Sequence, residues 1–409
     1  MDYDLLLEGC CEVGCKLLRH GAEIHRAEDT IHRLLAAYGL EGEVFAIPNC
    51  VWVSVPAPDG RTHSRMRRVP MPSTDVEAIE RYNDLSRHLC AAPPEDPGEL
   101  LEQCRLAERT MKRYPVPMCL LGYFVGAFFF ALFFSGGWTE GAAAGLAGLA
   151  AGACLTVLNR INANFFLTTL ASAFALGAVA YGLAALGAPV NIQVVIAGGI
   201  MVLVPGLVFT NFMRNLLTGD MIAGTATFAR AVMSAGAIAL GTGAAMVLSG
   251  RFLQAPAGTG STVAYAAPLI CLFAFVACLG FCPAYNVQGV GALLCCLGGA
   301  LGWMAYLLAM PVFNGNTYIA SLIAAVVVAA YSEFMARVRK CPATSYLVIA
   351  MFPLVPGLTI YQAMDYGIQG NTDLFLETFI RTFGIAGCLA LGVLLVSAAM
   401  ELMGRRRRH

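Results

Sequence analysis

Two prolines, each followed by a glycine inside the same five-residue word, are the chemically distinctive groups of this chain: LVPGL occupies residues 203 to 207 and recurs at residues 354 to 358. Pro205 and Pro356 lack a backbone donor and so free carbonyls about one turn upstream, while Gly206 and Gly357 permit an unwound backbone or a close approach. Freed carbonyls away from water must meet a substrate, a cation, a water or a side chain. Polar side chains accompany both words. Asn211 and Arg214 follow the first, with Gln362 and Asp365 at the equivalent places after the second. Asn162 and Asn164 recur as Asn314 and Asn316, a spacing that suits helix capping or recognition of ammonium, hydroxyl and carboxylate groups, with Thr168 and Thr169 nearby. Arg230 and Arg381 match across the offset and are cations for a substrate carboxylate or, for Arg230, for pairing with Glu333 or Asp220. Glu377, then Glu333 and Asp365, are the carboxylates that could carry a proton, and Glu377 stands four residues from Arg381, a spacing that predicts an ion pair on one helix face.

These groups need elements to hold them. The offset of 151 residues between the two words also pairs Met213 with Met364, Thr227 with Thr378, Phe228 with Phe379, Arg230 with Arg381 and Gly236 with Gly387. A matched arginine and a five-residue identity around proline predict two structural repeats about a pseudo-twofold axis.

The chain is 58% hydrophobic and 13% charged with zero formal net charge, and its charges are unevenly spread. Residues 1 to 115 hold 14 of the 26 Lys and Arg and 19 of the 26 Asp and Glu. The remainder is depleted of charge as a hydrocarbon environment demands. Apolar runs near 116 to 135, 140 to 158, 164 to 186, 190 to 212, 226 to 249, 263 to 281, 287 to 310, 316 to 336, 343 to 365 and 376 to 400 predict ten transmembrane helices. Pro205 and Pro356 either break or end theirs. Five spans per repeat is an odd number, so the repeats are predicted to be inverted.

The predicted architecture is a polytopic α-helical membrane protein: a cytoplasmic α/β domain over residues 1 to 115, five-helix repeats over 116 to 250 and 263 to 400, and a basic cytoplasmic tail over 401 to 409. Arg109, Lys112, Arg113, Arg160, Arg214, the Arg337, Arg339 and Lys340 group and Arg405 to Arg408 fall on one side of this topology. That places both termini in the cytoplasm and the chain in the cytoplasmic (inner) membrane. Residues 1 to 30 carry charges throughout, unlike a secretory leader.

In the first domain, helices are predicted over 4 to 18 and 24 to 38, strands over 44 to 47, 51 to 55 and 63 to 69, a helix after Pro72 capped by Ser73 or Thr74, and a charged helix over 99 to 113. Five of the six histidines, at 20, 25, 32, 63 and 88, lie there with Cys10, Cys11 and Cys15. No HExxH, paired CxxC, nucleophile elbow or nucleotide-binding loop occurs, so no cofactor, metal or catalytic residue is assigned. The glycines at 141, 145, 148 and 152 could pack helices within one chain or between copies of a homo-oligomer.

The chain resembles the threonine/serine exporter family, with its YjjP-like and YjjB-like halves fused in one polypeptide. The resemblance rests on GAEIHRAEDTIHRLLAAYG at residues 21 to 39, VFAIPNCVWVSV at 44 to 55, VLVPGLVFTNFMRNLLTGD at 202 to 220, GNTYIASLIAA at 315 to 325 and FPLVPGLTIYQAMDYGIQG at 352 to 370. It implies ten spans, a cytoplasmic first domain and export of threonine and serine by proton motive force, with dicarboxylate export in split relatives. The expected partners are thus a small polar amino acid or a dicarboxylate, protons and membrane lipid, with no nucleic acid. A membrane-bound sensor or hydrolase active in the first domain is the reading of another class; it requires a polar pocket converging on His20, His25, His32 and His63.

Overall fold

The computed structural model describes residues 2–57, 60–70, 73–203, 206–252 and 263–406. The chain divides into two compact units. The first comprises residues 1–113 together with two short segments from far along the chain, 285–288 and 336–345; the second comprises the rest.

In the first unit, α1 (Tyr3–Arg19) and α2 (Ile24–Ala37) precede β1 (Glu43–Ile47), β2 (Cys50–Pro56) and β3 (Thr62–Arg68), followed by α3 (Val76–Ala91) and α4 (Gly98–Arg109). The strands form one antiparallel sheet in the order β1-β2-β3, with Val53 opposite Val44 and Arg65. Period-two alternation sends Val51, Val53 and Val55 inward, where they join Leu6, Cys10, Val13, Ile31 and Leu34 from the helices. The cysteine spacing on α1 serves packing. The Cys11 and Cys15 thiols donate to the carbonyls of Arg65 and Arg68 on β3, at 3.6 and 3.7 Å.

The cap of α3 differs from the expected Ser73 or Thr74. Ser73 N–H donates to the Arg19 carbonyl and Asp75 N–H to that of His20, which keeps the chain extended until Val76. Asp75 is therefore the cap, accepting from Ala78 N–H at 3.1 Å. Its carboxylate also accepts from Asn286 Nδ2 at 2.9 Å, and that amide donates to the Lys112 carbonyl as well.

In the second unit, twelve helices are described. They are α5 (Val116–Phe133), α6 (Trp138–Arg160), α7 (Phe165–Ala185), α8 (Ile192–Ile200), α9 (Gly206–Leu217), α10 (Met221–Phe252), α11 (Ala267–Phe281), α12 (Val290–Val312), α13 (Thr317–Arg339), α14 (Thr344–Ala350), α15 (Gly357–Ile368) and α16 (Thr372–Arg406). Seven are long and apolar enough to cross a membrane: α5, α6, α7, α10, α12, α13 and α16. The helix α11 is apolar and shorter. The two remaining runs, expected as spans over 190 to 212 and 343 to 365, are each divided into two short helices, α8 with α9 and α14 with α15. At the second place Pro356 and Gly357 break the helix rather than end it.

Starts of the first six helices, at 116, 138, 165, 192, 206 and 221, are followed by starts at 267, 290, 317, 344, 357 and 372, an offset of 151 or 152 throughout. Packing is reciprocal: α10 lies against α15, and α16 against α9. The helix α5 lies against its counterpart α11 where Gly122 and Gly126 meet Gly280, and a methyl group at any of the three would collide with facing atoms of the other helix. The glycine stripe of α6 is filled from within the chain. Phe128, Phe124, Ala127 and Tyr123 of α5 face Gly141, Gly145, Gly148 and Gly152 in turn.

His20 is 4% exposed, stacks on Tyr82, and has no hydrogen-bond partner for either ring nitrogen. Burial, against the opposing pull of Asp75 and with help from Arg19, Lys16 and Arg113, lowers its pKa to about 4. The folded ring is neutral while an unfolded one titrates near 6.5. Stability is thus fully present above about pH 6.5 and falls as pH drops toward 4, by up to about 3 kcal/mol. Hydrogen exchange at α1 and α3, corrected for intrinsic rate, should show weaker protection at pH 5 than at pH 7. His20→Phe should remove that difference; a difference that persists in this variant would assign it to another group.

Candidate functional site

The interruption after α14 is built from local hydrogen bonds. The N–H groups of Leu354 and Val355 both donate to the Met351 carbonyl at 3.0 Å, and Gly357 N–H donates to the Val355 carbonyl at 2.7 Å. Pro356 and Gly357 are buried. The Pro356 carbonyl accepts from Ile360 N–H and from the Thr359 hydroxyl, whose oxygen lies 2.9 Å from that of Thr382 on α16. The first interruption begins alike, with Val202 and Leu203 N–H groups donating three residues back. Pro205 lies outside the described residues, and Gly206 opens α9.

The two words reach one apolar cluster. Leu203 and Leu358 both pack against the group containing Leu176, Val195, Ile200 and Ile238, as does Tyr361. A second cluster joins Phe212, Met213 and Phe228 from α9 and α10 to Ile360, Met364, Phe379, Phe383 and Ala386 from α15 and α16. Three sequence-matched pairs meet in it: Met213 with Met364, Phe228 with Phe379 and Ala235 with Ala386.

The asparagines are caps. Asn164 accepts from Phe166 N–H at 2.8 Å at the start of α7, and Asn316 from Tyr318 and Ile319 N–H groups at the start of α13. Asn162 and Asn314, two residues earlier, share a left-handed φ of 52° and are exposed. Arg230 is half-buried with its guanidinium 5.0 Å from the centre of the Phe165 ring, beside the Asn164 cap. Its counterpart Arg381 is exposed, as is Glu377, and the expected ion pair between them is not formed. Spacing by four put the two on one stripe of α16, but that stripe is open, where neither gains from being held. Asn211 and Gln362 are exposed, and Glu333 is half-buried. Asp365 is half-buried, accepts from Gln369 Nε2 at 2.7 Å, and lies within electrostatic reach of Tyr181 and Tyr361. The Tyr361 hydroxyl stands 3.4 Å from that of Thr242 on α10, a polar link from the second helix set to the first.

Sequence reading missed Glu140, which is 3% exposed. One of its oxygens accepts from Gly137 N–H and the Thr139 hydroxyl, the other from Asn191 N–H, so a single carboxylate joins the N-termini of α6 and α8. The signal was a glutamate three residues after Gly137 at the head of an apolar run. It also missed Tyr361 with Thr242 and Thr359 with Thr382, which carry no pattern beyond a hydroxyl in an apolar helix.

A charge-poor bundle with two interrupted helix pairs on one core defines a polytopic α-helical membrane protein of the transporter type. Residues 8–249 match the family described as putative threonine/serine exporter, and residues 270–399 match that described as Threonine/Serine exporter, ThrE. The chain belongs to the threonine/serine exporter family. A threonine/serine exporter of Corynebacterium glutamicum is 25% identical over 333 residues, covering 78% of this chain and 65% of the relative, so the chain spans about two thirds of that relative's length. No solved structure matches.

Phe212 of α9 and Phe383 of α16 meet edge to face at 5.7 Å. Thermal unfolding in detergent of Phe212→Ala, Phe383→Ala and the double variant should give a coupling of about 0.5 to 1.5 kcal/mol. Additive losses would show that this ring contact does not hold the two sets together.

Proposed function

We propose that the protein is a secondary active exporter of threonine and serine, driven by proton motive force across the cytoplasmic membrane. The buried side chains of the second unit carry this reading. Among the described residues its buried serine and threonine hydroxyls number nine, at Thr168, Thr169, Ser172, Ser234, Thr242, Ser249, Ser321, Ser332 and Thr382; the Tyr346 phenol and one carboxylate, Glu140, are buried with them, and no cation is. A zwitterion with a hydroxyl brings its own compensating charges and can be held by such groups, whereas a dicarboxylate needs cations where water is excluded. Arg230 is half-buried and Arg381 exposed, which weakens the dicarboxylate reading. The sensor or hydrolase reading is weaker still: His20 is buried against Tyr82 while His63 faces Asp4 on another side of α1.

In the proposed mechanism the seven long helices, α11 and the two divided pairs make ten spans in two inverted five-span repeats, and both termini and the first unit lie in the cytoplasm. The constant helix offset and the reciprocal packing of α10 on α15 and α16 on α9 support a twofold relation. The interrupted pairs then frame a central pathway lined by Pro205, Gly206, Pro356 and Gly357, with Asn162, Asn164, Asn211, Arg230, Asn314, Asn316, Gln362 and Arg381 toward its mouths. The proton-linked carboxylate is Asp365, ahead of Glu333 and Glu377, because Asp365 is hydrogen-bonded and adjoins the Tyr361 to Thr242 link.

Efflux of serine and threonine from reconstituted vesicles should exceed efflux of succinate and should rise with an imposed pH gradient. Asp365→Asn should abolish the gradient dependence while leaving exchange; normal dependence in this variant would move the role to Glu333 or Glu377. Topology has its own test. In a variant without native cysteines, single cysteines at the exposed residues 160 and 340 should react from the cytoplasmic side, and one at residue 187 from the other. Labelling of all three from one side would sink the inverted arrangement.

A further inference from the structure

Hydroxyls on the membrane helices have a ready partner, the carbonyl four residues back. Thr156 takes it at 2.7 Å, Thr169 at 2.9 Å, Thr242 at 3.0 Å and Thr382 at 2.7 Å. Thr168 and Ser172 on α7 do not, nor does the isolated Ser332 on α13. Thr168 and Ser172 are 2% and 0% exposed, and neither hydroxyl has a hydrogen-bond partner in the structure. An unpaired hydroxyl inside a bundle is costly, and rotation about one bond is the usual route back to the helix backbone. Two neighbours that forgo it are aimed at something outside their own helix.

Their position says where. Thr168, Ser172 and Leu176 recur every four residues and form one stripe. Leu176 packs against Gly199 near the end of α8, so closely that a Cβ on that glycine would lie 2.9 Å from Leu176 Cδ1. The short connection over residues 186–191 returns α8 antiparallel to α7. Ser172, about 6 Å before Leu176 along the axis, is thus level with residues 201–203, where α8 gives way, and Thr168 is one turn beyond. Leu176 belongs to the same cluster that receives Leu203 and Leu358, one leucine from each LVPGL word. At the matched places on α13 stand Ala320 and Ala324, so the hydroxyl pair occurs on one repeat alone.

We propose that Thr168 and Ser172 form a polar subsite beside the first helix interruption that exchanges hydrogen bonds with the side-chain hydroxyl of the transported amino acid. This rests on the export reading above. A substrate hydroxyl both donates and accepts, so it satisfies two orphaned hydroxyls at once, and an isosteric methyl group leaves them unpaired. A site built in this way selects serine over alanine and threonine over valine.

The test uses the full chain in reconstituted vesicles, with serine, alanine, threonine and valine as substrates. Ser172→Ala and Thr168→Val should each lower the serine-to-alanine and threonine-to-valine ratios of kcat/KM by about tenfold. Thr168→Ser should keep them, and so should Thr169→Val, since that hydroxyl is already bonded to its own helix. The thermal midpoint of Ser172→Ala should hold or rise, because the change removes an unpaired polar group. A structural role would lower it. Wild-type release of serine and threonine with unchanged ratios in both variants overturns the subsite alone, as does a fall in thermal midpoint that parallels the loss of transport. Wild-type vesicles that release neither amino acid overturn the export reading and the subsite together.

Discussion

Inside hydrocarbon a polar group has no water to fall back on, and this requirement governs how the second unit is built. Helix interiors satisfy it by themselves, so the difficulty concentrates at helix ends and interruptions. Asparagine side chains close the starts of α7, α8 and α13. Glu140 serves two helix starts with one carboxylate, and Pro356 lends its carbonyl to Thr359, which ties the second interruption to α16 through Thr382. Against that pattern, Thr168 and Ser172 of α7, with Ser332 of α13 and the Trp303 indole, are left without a partner among the described residues, and only the first two stand one turn apart on one helix.

The two helix sets agree in the spacing of their starts and differ in chemistry. Helix starts keep an offset of 151 or 152, and matched residues meet in the Phe212 and Phe383 cluster. Polar equivalents diverge. The hydroxyls of Thr168 and Ser172 face alanines in the other copy, Tyr361 answers to Thr210, and of the two matched arginines one lies over an aromatic ring while the other is exposed. In the exporter proposed here, exact symmetry would make the two orientations of the bundle equal in energy. Divergent side chains let the loaded and empty states differ.

Apolar run lengths located the seven long helices, and the LVPGL offset matches the 151 or 152 residues between corresponding helix starts, because both depend on composition and spacing alone. What spacing leaves undetermined is enclosure. Glu377 and Arg381 share a stripe of α16 as their separation requires, yet that stripe is open and they do not pair. The same limit hid Glu140, which the apolar runs set at the very end of the second span while the fold buries it. The capping of α3 depended on where α1 ends: two backbone bonds to Arg19 and His20 postpone the helix to Val76. Such contacts are decided by partners distant in sequence. Local propensity therefore found the elements of the first unit and misplaced this boundary.

Burying hydroxyls rather than cations also suits the proposed carrier energetically. Neutral hydrogen bonds exchanged between ligand and protein are each worth about 1 kcal/mol net, so several of them hold a zwitterion without trapping it. Buried charges would bind more tightly and cost more to leave unpaired once the substrate departs. A carrier must pass through an empty state on every cycle that does not exchange one substrate for another. Two orphaned hydroxyls are tolerable in that state where two orphaned arginines would not be. The scarcity of buried cations is thus consistent with the turnover of an empty carrier as well as with a hydroxylated, net-neutral substrate.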